Sequence, residues 1–210
     1  MIERSTKTMP KTADDTRQRI VDAALQLFWT KGYASTSIAD ILDKAGANSG
    51  SLYHFFPGKQ DLLLAVLQAL HDNIGPALLE PAWEGVGDPI EKVFRLLDRY
   101  RNSILVTEFR YGCPIGNLAL EIHEPDPPVR ALLSANFAAW TDAVERCLDE
   151  AKARLPRGTN RRALAIFVLT TMEGAVMLGR THHSIEAFDD AVSQLRHYFA
   201  MLIAKRKTRK

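Results

Sequence analysis

The sequence predicts an all-α fold in two parts: a small N-terminal three-helix domain built around a helix-turn-helix, and a larger C-terminal helical bundle. Three observations carry this reading. Apolar residues recur at spacings of three and four along almost the whole chain. No stretch of strand-like alternation reaches a useful length. Helix start and stop signals punctuate the chain at short intervals.

Taken in order, the elements are expected at 14–31, 37–45, 49–56, 59–79, 88–106, 115–123, 127–154, 160–181 and 185–204. Asp88-Pro89-Ile90-Glu91 combines a capping Asp, Pro at the first helical position and Glu three residues after the cap. Asp126-Pro127 repeats that opening, Thr159 or Asn160 caps the next helix, and Ser184 caps the last. Stops fall at Gly32, Gly46, Gly75-Pro76, Gly112 to Pro114 and Pro156 to Gly158. The first three helices are short and tightly spaced, and the later ones are long enough to form a bundle. Residues 1–60 are therefore assigned to an N-terminal arm and helix-turn-helix, and residues 61–210 to a helical ligand-binding and dimerisation domain with a basic tail.

Composition excludes several classes. With 46% hydrophobic and 25% charged residues over 210 positions, the chain is globular and has ample core material. Two cysteines, Cys113 and Cys147, make no disulfide framework and suit a reducing cytoplasm. Met1 to Lys11 has no apolar segment of the kind a signal peptide needs. The most apolar stretches, Leu62 to Leu70 and Ala163 to Gly179, are short or interrupted by Gln68 and Glu173, so no membrane span is expected. Residues 1–60 carry 8 basic and 6 acidic side chains, residues 61–204 carry 14 and 19, and the tail adds five more cations. A polyanion would find the two ends more attractive than the middle.

The segment from Thr36 to Lys59, T-S-I-A-D-I-L-D-K-A-G-A-N-S-G-S-L-Y-H-F-F-P-G-K, carries the functional signal. Ser37 caps a helix with Asp40 three residues on, and Ile38, Ile41, Leu42 and Ala45 share one face. Gly46 and Ala47 form a turn. The next helix opens on Asn48, Ser49, Gly50 and Ser51, all small and polar. In a helix-turn-helix this helix end meets base edges while the preceding helix crosses the phosphate backbone. Asn48 suits adenine, Ser49 and Ser51 donate or accept, and Gly50 allows close backbone approach. Tyr53, His54 and Lys59 carry donors for phosphate, as do the helix starts near Thr36, Ser37 and Lys59. Leu52 and Phe56 are expected to point inward. Double-stranded operator DNA is the expected partner.

The stretch from Thr16 to Leu63 resembles the DNA-binding domain of TetR/AcrR-type regulators. The likeness includes an apolar first helix ending in K-G-Y, the T-S-I-A-D-I opening and the L-Y-H-F-F-P-x-K-x-D-L-L passage. Gly58 stands where that family often has Ser or Asn, and Phe55 where a second His is common. The resemblance implies a homodimeric, cytoplasmic repressor released from its operator by a small-molecule effector. Further on, Tyr111 to Glu121 resembles the G-C-x-x-G-x-L-x-x-E passage of one AcrR-type subgroup. Some members of that subgroup respond to oxidants or electrophiles through a cysteine here, and others bind aromatic molecules.

Two readings of Cys113 stay open: a sensor thiol activated by a helix start and Arg110, or a small buried hydrophobe at a tight turn. Phe94, Phe109, Phe137, Trp140, Met172 and Met177, with Trp83, are candidates to line an apolar effector cavity, with Asn117 and Glu173 as polar anchors; each is equally at home in a plain core. Ala165, Val168, Leu169, Ala175, Val176, Leu195 and Phe199 on the last two helices are expected to form a two-fold, four-helix dimer interface. His182-His183 and the other histidines lack zinc-site spacing, so no metal is expected. No cofactor fingerprint, nucleophile elbow or acid/base pair appears, so an enzyme is not expected.

Overall fold

The computed structural model describes residues 13–207. The predicted N-terminal arm and the last three residues of the basic tail lie outside them. Ten α-helices follow one another, with no strand among the described residues: α1 Ala13–Lys31, α2 Ile38–Ala45, α3 Ser49–Phe55, α4 Lys59–Asp72, α5 Glu80–Trp83, α6 Pro89–Val106, α7 Pro114–Glu121, α8 Pro127–Glu150, α9 Arg161–His182 and α10 Glu186–Lys207. The chain divides into two compact units between Val66 and Leu67, inside α4.

In the first unit α1 packs on both α2 and α3. Ile20, Ala24 and Phe28 of α1 are buried with Ile41 of α2 and Leu52 of α3. Phe56, Leu62 and Leu63 are buried as well. Leu52 and Phe56 thus point inward, as their spacing predicts.

In the second unit α6, α8, α9 and α10 pack on one another as a bundle. Its core holds Val93, Phe94, Leu97, Trp140, Val144, Val168, Met172, Phe188, Leu195 and Phe199. The Asp88 side chain accepts from the N–H groups of Ile90 and Glu91, and Asn160 accepts from Ala163, so both predicted caps form. Asp126 makes no such bond, and Pro127 alone marks the start of α8. That helix ends at Glu150 and passes into a 3-10 turn, Lys152–Arg154.

The predicted continuous helix over 59–79 does not form. Pro76 has no N–H to offer Asp72, and its ring collides with the carbonyl four residues back. The α-helix stops at Asp72 accordingly. Ile74–Leu79 forms a wider π-helical turn, in which Glu80 N–H reaches Gly75 O. Lys59–Asp72 and the stretch Ile74–Trp83 meet at 54°.

The expectation that Ala163 to Gly179, interrupted by Glu173, is no candidate span also changes: α9 is long and apolar enough to cross a membrane by length and composition. In the bundle it packs between α8 and α10, the position of a core helix.

Candidate DNA-binding surface and sensing core

The geometry of the turn between α2 and α3 follows from three local devices and one contact from α1. Ser37 and Asp40 close a reciprocal capping box: Asp40 N–H donates to Ser37 Oγ at 3.1 Å, and Ser37 N–H donates to Asp40 Oδ2 at 2.9 Å. These bonds and Lys31 hold the Asp40 carboxyl down at about 2. Gly46 takes the left-handed conformation, φ 57°, that ends α2. Arg19, reaching from α1, donates Nη1 to Ala45 O at 2.6 Å and Gly46 O at 3.3 Å, which places a cation on the free carbonyls of the helix end. Asn48 caps α3 through Oδ1, which accepts Ser51 N–H at 2.8 Å.

The result is an exposed helix head. Asn48, Ser49 and Gly50 are exposed, Ser51 is half-buried, and Tyr53 and His54 stand out from the helix. Asn48, Gly50, Ser51, His54 and Phe55 form one wall of an open groove of about 450 Å³, with Ala13 and Thr16 of α1 opposite. Thr16 was not expected there, because no periodicity in α1 distinguishes a groove-lining polar residue from a solvated one.

Three residues expected to contact DNA also make bonds within the unit. Thr36 is only 1% exposed, and its hydroxyl donates to Gly32 O at 2.7 Å. Lys59 donates Nζ to Tyr33 O at 2.5 Å and lies 4.4 Å from the Tyr33 ring centroid, so it braces the loop before α2 with one of its three donors. The Ser37 hydroxyl is spent on Asp40.

In the second unit, Cys113 is buried and caps α7, its Sγ accepting Gly116 N–H at 3.5 Å. Burial and the neighbouring Glu173 push its thiol far up. A sensor thiol requires the opposite shift and access to solvent, so Cys113 is the buried residue at a tight turn. Burial likewise raises Cys147, to about 11.

The predicted cavity residues disperse. Phe94 packs edge-on to Phe199, with Arg196 4.0 Å from its ring centroid. Phe109 tilts against His183, Phe137 is half-buried on α8, and Met177 is 52% exposed. Phe94 and Phe109 pack on neighbouring rings, and Met177 faces solvent. Trp83 donates its indole N–H to Lys92 O. Asn117 accepts from Arg180 Nη1 at 2.9 Å, while Arg180 Nη2 donates to Arg110 O.

What does come together is a polar cluster of Tyr100, Cys113, Trp140 and Glu173 beside the fully buried Met172. Tyr100 was missed, since one tyrosine among the charged residues of α6 carries no signal. Among the described residues no group of His, Cys, Asp and Glu is placed to hold a metal.

Two family models match this chain: the bacterial regulatory proteins of the tetR family over residues 20–66, and the LmrA/YxaF-like transcriptional regulator C-terminal domain over residues 89–194. The chain belongs to the TetR family. It is a DNA-binding transcriptional regulator and not an enzyme. This TetR-family protein is 32% identical over 187 residues to an uncharacterised HTH-type transcriptional regulator of Mycobacterium tuberculosis, covering 86% of this chain and 92% of that one. It is 28% identical to the HTH-type transcriptional regulator LmrA of Bacillus subtilis, covering 80% and 87%. Its fold superposes on a regulatory protein TetR from Rhodobacter sphaeroides with a TM-score of 0.77 at 26% identity, covering 86% and 96%.

Proposed function

We propose that this TetR-family regulator is a cytoplasmic repressor that binds a pseudo-palindromic operator as a homodimer and leaves it when a small apolar or aromatic molecule enters the second unit. The observation that carries the reading is the head of α3, where four consecutive small polar residues, 48–51, open an exposed helix end. In this reading Asn48, Ser49 and Ser51 meet base edges. The cap occupies only Oδ1 of Asn48, Gly50 lets the backbone approach, and Tyr53 and His54 reach phosphate. Thr36, Ser37 and Lys59 shape the unit that presents them.

Homodimerisation is supported by an unburied apolar strip on α9 and α10. Ile166, Phe167, Met177 and Leu178 are exposed on one helix, Tyr198 and Met201 on the other, and the rings of Phe167 and Tyr198 meet at 5.7 Å. The residues expected to form this interface lie elsewhere. Ala165, Val168, Ala175, Val176, Leu195 and Phe199 are buried within the chain, and Leu169 is half-buried, because α9 and α10 satisfy those faces against the bundle.

A gel-shift titration with the DNA flanking the protein's own gene tests the proposal. Retention should fall by about a thousandfold between 50 and 200 mM salt, as expected when six or more phosphates are contacted. Tyr53→Ala should weaken every sequence alike. Binding that is flat with salt, or unchanged in both Tyr53→Ala and Asn48→Ala, would refute it.

A further inference from the structure

The second unit carries a carboxylate where its surroundings do not favour one. Glu173 sits in the middle of α9, next to the fully buried Met172. Its Oε1 is enclosed and has no hydrogen-bond partner, and the Cys113 thiol lies against the carboxyl. None of the described ion pairs involves it, and burial raises its pKa with no cation acting against the shift. Arg180, two turns along α9, spends its Nη atoms on Asn117 and the Arg110 carbonyl.

The chain also makes room for this carboxyl. A Cβ at Gly116 would stand 2.4 Å from Glu173 Oε2, so a larger residue there would push the carboxyl out of this position. Tyr100 lies beside Glu173 and Cys113 on one side and beside the indole of Trp140, 3% exposed, on the other, its hydroxyl close to Trp140 Nε1 but outside good hydrogen-bond geometry. Glu173 Oε1 is thus a buried acceptor without a partner in a cluster that Tyr100 joins to Trp140, and it carries a desolvation cost that a donor would relieve.

We propose that Glu173, with Tyr100 beside it and Trp140 behind Tyr100, is the subsite for the cationic head of an apolar amine effector. The proposal rests on the reading of this unit as a small-molecule sensor. An ammonium supplies what the acceptor lacks, a donor with opposite charge, and aromatic faces attract the same cation. The neighbouring thiol and phenol are both held in their neutral forms by burial, so Glu173 is the one group of the cluster whose ionised form a bound monocation would favour. The amine's apolar body would rest on the Met172 side of the core. The eight-residue α7, which contributes Cys113 and Gly116 to the wall, is the element that must yield to admit it.

The test uses the full-length protein, 2-phenylethylamine and its neutral counterpart 2-phenylethanol, with binding read by thermal shift and by the Trp140 indole N–H resonance. The amine should stabilise the wild-type protein saturably and move that resonance. Glu173→Gln should bind it at least about tenfold more weakly while treating the alcohol as the wild type does. Should Glu173→Gln fail to fold, Glu173→Asp, which keeps the charge and shortens the reach, should likewise weaken the amine alone. Equal amine affinity in the variant, or an alcohol that binds the wild type as well as the amine does, would overturn the proposal. If the amine leaves the protein unaffected while operator binding is intact, the subsite is wrong and the regulator stands. If the amine saturates Glu173 without changing operator affinity, the sensor reading fails and the subsite stands.

Discussion

At the scale of single residues, the turn between α2 and α3 depends on groups that never need to meet DNA. Arg19 links α1 to the carbonyl end of α2 through two bonds. Replacing it with Met should cost about 1.5–3 kcal/mol, since charge-assisted bonds to carbonyls would be lost from a half-buried side chain. Urea denaturation followed by circular dichroism measures this, and an unchanged midpoint would show the bonds to be idle. Asp40 titrates near 2 in the folded protein, below the ordinary 3.8. A lowered carboxyl stabilises above the unfolded value, so its contribution is complete above about pH 4 and disappears as pH falls through 2. Asp40→Asn should therefore be less stable than the wild type at pH 6, with the difference closing toward pH 2. Cys113 and Cys147 are buried with raised thiols, so native protein should react with a thiol reagent only as fast as it unfolds. Rapid labelling of Cys113 without denaturant would contradict that placement.

At the scale of elements, what was legible in the sequence and what was not have physical causes. Caps are local: Ser37 with Asp40, Asn48, Asp88 and Asn160 lie within three residues of the N–H groups they satisfy, so their chemistry can be read along the chain. Asp126 shows the limit, because Pro127 opens α8 without any help from the preceding side chain. Tertiary neighbours are invisible to such reading. The pattern of α1 does not say that Arg19 turns toward α2, and Lys59 looks like a free cation until Tyr33 is brought beside it by the fold. The π-helical turn at Ile74–Leu79 was foreshadowed by Pro76, but a proline allows a kink, a stop or a wider turn, and the choice rests on packing. The fit of α7 over α9 is open to a double-mutant cycle. Gly116→Ala should destabilise by about 1–3 kcal/mol through its clash with Glu173, and adding Glu173→Ala should recover most of that loss. Strictly additive effects would separate the two residues.

At the scale of the whole molecule, the two units divide the labour that the sequence assigns to them: small polar residues at an exposed helix head in one, and a bundle with a strip of unburied apolar residues in the other. The class of fold was readable from periodicity alone. The exposed apolar strip was not, because Val168 and Phe167 are neighbours in an equally apolar helix, and only the packing of α8 and α10 decides which is covered. Sedimentation should show a dimer at micromolar concentration, and Phe167→Glu should shift it toward monomer with weakened operator binding; a wild-type monomer that binds operator normally would remove the dimer from the account. The central claim, that the head of α3 reads DNA, has a direct test in Asn48→Asp. Aspartate caps a helix as well as asparagine does, so the stability of the protein should be unchanged. A carboxylate at a helix head facing phosphates and base edges should cost at least about tenfold in operator affinity, measured by fluorescence anisotropy at fixed salt. An Asn48→Asp protein that folds as the wild type does and binds its operator equally well would contradict the account.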